Sequence, residues 1–318
     1  MLDLLEGKTQ VVKRLKHSST IGGLAHEYMN SKAFARLKGN TQKEYELCLR
    51  IAMATPTHTG KTVGETKLNF FGNNHANYVY EQWLDRGVSR ANKISAILSI
   101  VFNRAINMDI LNRNPMKGVT RVPNKQRKVM WTQDQVFTFL DTAYSQNKWR
   151  SIGLIVQMAY EWGQRVGDMR LLTWDKLDLD NKRMDIEQSK RSADVHLPIS
   201  EPLLHVLCQQ KEAYGFQEYV APQMQPSDGA YKPYKKENLF SYVNDIKDAA
   251  GLPSELTAMD MRRTAITEMV EAGVDVTQIK QVSGHKSISS LDPYIKHTFS
   301  GASNALAQRQ AYKDNNDE

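Results

Sequence analysis

Residues 161–175 read Glu161-Trp-Gly-Gln-Arg165-Val-Gly-Asp168-Met-Arg-Leu-Leu-Thr-Trp174-Asp. The stretch stands at a change of period. Ahead of it, Thr132-x-x-Gln135 is a capping-box pattern preceding Val136, Phe139 and Leu140, and the spacing predicts helices over 133–146 and 148–163. Behind it, Arg183-Met-Asp-Ile-Glu and Val195-His-Leu-Pro-Ile alternate as strands do, with Ser189 to Asp194 as the turn between them. Read alone, Arg165 is an ordinary surface arginine with Asp168 three residues on as its ion-pair partner.

Working outward, the region 214–234 holds three prolines and two glycines and reads as an irregular loop. Helices are expected to resume over 235–250, 258–272, 275–283 and 288–299, with a tail helix over 302–312 ahead of an acidic end. Asp292 as N-cap and Pro293 at the first helical position would put Tyr294 in the first turn of a helix, where the helix dipole favours a phenolate. Towards the N-terminus, Ile94, Ile97, Leu98, Val101, Phe102, Ala105 and Ile106 form one apolar stripe on a helix of about 18 residues, with Asn114-Pro115 marking its end. Earlier helices are expected over 20–37, 40–54 and 74–86, giving a bundle of four or five helices. Residues 117–131 carry five Lys or Arg and no acid, which reads as a basic interdomain linker suited to lie along phosphates.

The 318 residues exceed one ordinary domain, so two are expected. With 41% hydrophobic and 24% charged residues the chain can build packed cores. It has no apolar run long enough for a membrane span, its first residues lack the long apolar run expected of a secretion signal, and its two cysteines, Cys48 and Cys208, fit a reducing cytoplasm. The net charge of +7 is unevenly spread: residues 1–128 carry 21 Lys and Arg against 9 Asp and Glu, residues 129–318 carry 21 against 26. A basic front half suggests a polyanionic partner, nucleic acid being the commonest. Thr59-Gly60-Lys61-Thr62 looks like the end of a phosphate-binding loop, but Thr55 stands where the full pattern needs glycine. No short metal or serine-hydrolase motif is present, so neither metal nor cofactor is expected.

Two further segments complete the reading: Leu256-Thr-Ala-Met259-Asp-Met-Arg262-Arg-Thr-Ala and Val282-Ser-Gly-His285-Lys-Ser-Ile-Ser-Ser-Leu-Asp-Pro-Tyr294. With residues 161–175, and in this order, they resemble the motifs of the tyrosine recombinase (phage integrase) family. The first is similar to Gly-x-Arg-x-Gly-Glu/Asp followed by Leu-x-Trp, the second to His-x-x-Arg, the third to Gly-His followed nine residues later by the nucleophile. The resemblance implies Arg165 and Arg262 as the phosphate clamp, His285 as a phosphate hydrogen-bonder, Tyr294 as nucleophile, and Asp168 as the residue holding Arg165 or Lys190 in place. Lys190, on the hairpin 25 residues after Arg165, is implied as the general acid, with Lys182, Arg183 and Arg191 as competitors; Arg263 is the rival for Arg262. Met259 departs from the pattern: it stands where the family has histidine, and a thioether exchanges no proton at neutral pH.

The implied fold is mainly α with a small β-sheet (α+β), a helical N-terminal DNA-binding bundle followed by a catalytic domain. The expected organisation is a basic N-terminal segment (1–19), a core-binding DNA-binding domain (20–116), the linker (117–131), a catalytic domain (132–299) and a C-terminal tail (300–318) that either is passed to a neighbouring protomer or packs in place. Arg121, Lys125, Arg127 and Lys128 are the expected backbone contacts. The chemistry agrees with the resemblance: a phenol of pKa ~10 is a poor nucleophile, and paired guanidiniums spread the charge that develops on phosphate oxygens. The implied activity is metal- and ATP-independent cutting and rejoining of double-stranded DNA at specific sites through a 3′-phosphotyrosine, by a homotetramer, with accessory DNA-bending proteins as further partners. A phage or mobile-element integrase is the preferred reading; a Xer-type resolvase of replicon dimers, a catalytically weak sequence-specific DNA-binding protein and a topoisomerase-like nicking enzyme are alternatives.

Overall fold

The stripe through Ile94, Leu98, Val101 and Phe102 is fully buried and forms the spine of a helical unit. In the computed structural model, which describes residues 20–125, 127–189, 193–294 and 299–314, the chain divides into two units, Met1–Arg127 and Lys128–Glu318. The first holds α1 (Ile21–Met29), α2 (Lys32–Ala35), α3 (Gly39–Ala54), α4 (Asn73–Leu84) and α5 (Val88–Asn107), with α3 and α4 packed on α5. The single helix expected over 20–37 is two, because Ser31 adopts an extended backbone and caps α2 by accepting from Phe34 N–H. Helix α5 ends at Asn107, earlier than Asn114-Pro115 suggested, with Asp109 just beyond it at φ +57°. Asn114 instead ties the following 3₁₀ turn Pro115–Gly118 to α5, donating to the Ser99 carbonyl at 2.9 Å and accepting from Met116 N–H. Thr59-Gly60-Lys61-Thr62 closes a tight turn, with Gly60 at φ +81° and the Thr57 hydroxyl donating to the Lys61 carbonyl at 2.7 Å; no helix starts from it.

The second unit contains α6 (Gln133–Tyr144), α7 (Arg150–Glu161), α8 (Val166–Met169), β1 (Leu177–Asp178), β2 (Arg183–Glu187), β3 (Asp194–Pro198), α9 (Glu201–Tyr214), α10 (Lys236–Ala249), α11 (Met261–Glu271), α12 (Val276–Ser283) and α13 (Phe299–Asp314). The Thr132–Gln135 capping box closes reciprocally at the start of α6. Nine of the twelve residues of α7 are buried, so this helix runs through the core rather than over it. The antiparallel sheet, order β1-β2-β3, pairs Met184 with Leu197 and Ile186 with Val195, and these four side chains face the helices. Asp185, Glu187, Asp194 and His196 alternate onto the other face. Of residues 117–131, Val119 packs in the first unit's core and Trp131 in the second's, while 120–125, 127 and 128 are exposed.

Two further differences stand in the second unit. Helix α9 was not anticipated, although Ser200 caps it and Pro202 sits in its first turn. The helix expected over 288–299 is a 3₁₀ helix over Ile288–Tyr294 with Pro293 inside it, so Tyr294 closes that element instead of opening an α-helix. Pro293 offers no N–H, and the tighter 3₁₀ winding accommodates it; the argument from a helix dipole at Tyr294 therefore lapses. Among the described residues no helix is long and apolar enough to cross a membrane.

Candidate active site

After α7 the chain turns through Gly163 at φ +58°, and Arg165 takes the extended N-cap position of the short α8. Its Nη1 donates to Gln188 Oε1 at 2.7 Å and lies 3.8 Å from Asp168 Oδ2, with about a fifth of the side chain exposed. Asp168 is one helical turn on, and its Oδ1 accepts from the Ser189 hydroxyl. The ion pair read from the sequence is thus long, and the shorter bond goes to an amide.

Arg262 is the second residue of α11 and is buried. Its Nη2 donates to the Ser283 carbonyl at 2.6 Å and lies 3.3 and 3.4 Å from the two ring nitrogens of His285. A guanidinium nitrogen equidistant from both ring nitrogens lies against the imidazole rather than in one directed bond. Helix α12 ends at Gly284 with φ +64°, and this left-handed residue turns the buried His285 inward. The Ser283 hydroxyl is 2.7 Å from His285 Nδ1 and fixes the ring. Tyr294 lies beyond it: the two ring centroids are 5.9 Å apart, and the Arg263 guanidinium carbon is 5.4 Å from the Tyr294 centroid.

Arg165, Asp168, Arg262, His285 and Tyr294 are therefore linked through one run of contacts, with Gln188 and the Ser283 carbonyl as its middle. The rival, Arg263, places a cation over the tyrosine ring. Met259, in the 3₁₀ turn Ala258–Asp260, is 65% exposed. Lys190 and its competitor Arg191 lie outside the described residues. The other competitors are engaged in surface pairs, Lys182 with Glu201 and Arg183 with Asp185 at 2.7 Å. Arg121, Lys125, Arg127 and Lys128 are exposed, and Arg121 Nε donates to Ser95 Oγ at 3.1 Å. Trp174 is half-buried and packs against the core, its indole N–H donating to the Tyr214 carbonyl at 3.2 Å.

Gln164, Gln188 and Ser283, all fully buried, were not singled out from the sequence. Gln188 had a legible signal. It continues the even-numbered row of Met184 and Ile186, so strand parity sends a polar amide inward. Behind the site, Tyr160 donates to Glu268 at 3.0 Å, and burial pushes the Glu268 carboxyl above its ordinary range. The assembled side chains are cationic and rich in donors, which suits a phosphate diester whose oxygens gain charge as it reacts.

Comparison with known proteins agrees with this chemistry. The chain is 24% identical over 251 residues to the ICEBs1 integrase of Bacillus subtilis (strain 168), covering 71% of this chain and 67% of that one. It is 20% identical over 235 residues to the tyrosine recombinase XerC of Pediococcus pentosaceus, covering 71% and 76%. A lambda integrase dimer bound to a COC' core site has the same fold, with a TM-score of 0.72 at 20% identity over 90% of this chain and 80% of that one. The Tn1549 transposon integrase in complex with a circular intermediate DNA gives 0.73 at 17% identity over 92% and 100%. The phage integrase family model matches residues 130–300, more than half of the chain and all three segments that meet at the site, and the chain belongs to that family.

Proposed function

We propose that the chain is a site-specific DNA recombinase, a phage or mobile-element integrase, that cuts and rejoins double-stranded DNA through a 3′-phosphotyrosine without metal or ATP. The observation carrying this reading is the contact run that joins Arg165, Arg262 and His285 and ends at the Tyr294 ring. The Tyr294 hydroxyl passes its proton to the neighbouring His285 and attacks the phosphorus, forming the Oη–P bond as the P–O5′ bond breaks. Arg165 and Arg262 hold the non-bridging oxygens, their planar forks matching phosphate geometry. His285 hydrogen-bonds the same phosphate, its ring fixed by the Ser283 hydroxyl. Lys190 protonates the leaving O5′. A 5′ hydroxyl from a partner duplex then reverses the step and conserves the bond energy.

The first unit is the core-binding domain in this reading and residues 132–299 the catalytic one, with Arg121, Lys125, Arg127 and Lys128 tracking phosphates between them in sequence. A lambda integrase tetramer bound to a Holliday junction shares the fold, with a TM-score of 0.70 at 20% identity, which supports a homotetramer on two sites. Accessory DNA-bending proteins would assist it, and it would act in the cytoplasm of the host cell. The XerC relative keeps replicon-dimer resolution as the second reading.

The test has two steps. Selection from a random duplex library with the purified chain yields the bound site, and a nicked suicide duplex carrying that site then traps the covalent intermediate. Trapping that Tyr294→Phe abolishes is the expected result. Specific binding without trapping would leave a DNA-binding protein, and supercoil relaxation without strand exchange would leave a nicking enzyme.

A further inference from the structure

We infer that Gln188 is the positioning residue that aims the Arg165 guanidinium and ties it to the Arg262–His285 half of the site. The inference rests on the reading of Arg165 and Arg262 as the phosphate clamp, and it adds a residue which that reading does not use. A hydrogen-bond count on two buried amides carries it.

Gln164 Nε2 donates to two backbone carbonyls, Trp162 at 2.9 Å and Val282 at 2.7 Å. Both its N–H groups are thereby used, and its oxygen is left to accept from Gln188 Nε2 at 2.6 Å. The second N–H of Gln188 goes to the Ser283 carbonyl at 3.0 Å. The Gln188 oxygen is then left for Arg165 Nη1, at 2.7 Å. Reversing either amide would set oxygen against carbonyl oxygen, so three backbone carbonyls dictate which way the last oxygen points. Both glutamines are fully buried, so protein groups, not bulk water, supply these bonds.

The same Ser283 carbonyl accepts from Arg262 Nη2 at 2.6 Å, so one oxygen atom connects the two guanidiniums through Gln188. Gln188 is also the root of the β2–β3 hairpin: its N–H donates to the Ala193 carbonyl at 2.9 Å, and the next residue, Ser189, donates to Asp168. The two residues that precede Lys190 in sequence thus engage Arg165, through Gln188, and its neighbour Asp168, through Ser189. There is no slack beside the amide, because a Cβ on Gly284 would come within 2.6 Å of Gln188 Nε2.

The experiment compares wild type, Gln188→Leu and Gln188→Glu as full chains on the nicked suicide duplex at saturating DNA. Both variants should trap covalent intermediate at least about tenfold more slowly, because a small misplacement of a phosphate-binding group is costly, while DNA affinity stays within about threefold. Gln188→Glu, close in size, should recover as the pH is lowered, since a protonated carboxyl regains one donor for Ser283 or Gln164. Melting curves at each pH establish that the variants are folded at the assay temperature. Trapping within twofold of wild type in a folded variant overturns the inference; if Gln188→Leu does not fold, a slow Gln188→Glu without recovery in acid overturns it. Failure of the wild type to trap overturns the recombinase reading instead.

Discussion

Gly284 shows how one missing side chain serves two needs. Its φ of +64° costs an L-residue roughly 1–2 kcal/mol, and its vacant Cβ position is occupied by the Gln188 amide, which is held by two donor bonds. Gly284→Ala should therefore lose stability on the order of 1–2 kcal/mol in a denaturant titration. It should also slow covalent trapping more than that loss accounts for in a still-folded protein, because the strain is delivered to the amide beneath Arg165. A variant with reduced stability and normal trapping would separate the two effects and count against the second. Met259 makes the opposite argument. At 65% exposure, with a side chain that cannot move a proton, it should be replaceable by alanine with a stability change within about 0.5 kcal/mol and a trapping rate within about twofold. His285→Ala should abolish most trapping, since the imidazole against Arg262 lies next to the Tyr294 ring, with 5.9 Å between centroids, and can exchange a proton where Met259 cannot. Equal rates for the two alanine variants would show that proton movement runs elsewhere.

Helix α11 carries Arg262 on one face and Glu268 on another, and the second affects stability rather than chemistry. Burial raises the Glu268 carboxyl pKa above its ordinary 4.5, a nearby Glu271 adds to the rise, and the Tyr160 hydroxyl opposes it. The folded state thus holds its proton at pH values where the unfolded chain has released it. Stability falls as pH rises from about 4.5 through the raised pKa and stays lower above it. Glu268→Gln keeps an oxygen for Tyr160 and removes the charge, so its unfolding midpoint should exceed that of wild type at pH 8 and match it near pH 4; a midpoint below wild type at pH 8 would refute this account. The elements themselves were legible to different degrees. The capping box at Thr132, the α5 stripe and the β2–β3 alternation all advertise their state through local periodicity, and the structure has them there. Ser31 was missed as a break because a hydroxyl that can cap can also face solvent within a helix. Tyr294 was misplaced because Asp-Pro opens helices more often than it closes them, and the 3₁₀ winding follows from packing of Leu291 against Ile266 and Ile279, which is tertiary information. Within the site the motif residues were visible one at a time, whereas the Gln164–Gln188–Ser283 connection is made of bonds that span 24 and 95 residues and exists only after folding.

Over the whole molecule, charge is the property that was legible from composition alone. The front 128 residues carry an excess of twelve positive charges and the remaining 190 an excess of five negative ones. Residues 129–318 carry net negative charge, so long-range attraction for DNA comes from the basic front, which includes Arg121, Lys125, Arg127 and Lys128. These four are exposed, and the described residues around them have no regular secondary structure, which suits a segment that follows a phosphate backbone. Each lysine or arginine seated on a phosphate releases condensed counterions and contributes about −0.9 to the slope of log K against log salt concentration. Replacing all four by glutamine should therefore reduce the magnitude of that slope by about 3 to 4 and weaken binding to any duplex, with less loss at high salt than at low. Arg121 sets the lower end of that range, because its Nε already donates to Ser95 and the group is partly committed to the protein. Binding isotherms at several salt concentrations on a duplex of unrelated sequence isolate this term, since base readout contributes nothing there. A slope that does not change would mean that the four cations face solvent in the complex, and the first unit alone would have to supply the phosphate contacts.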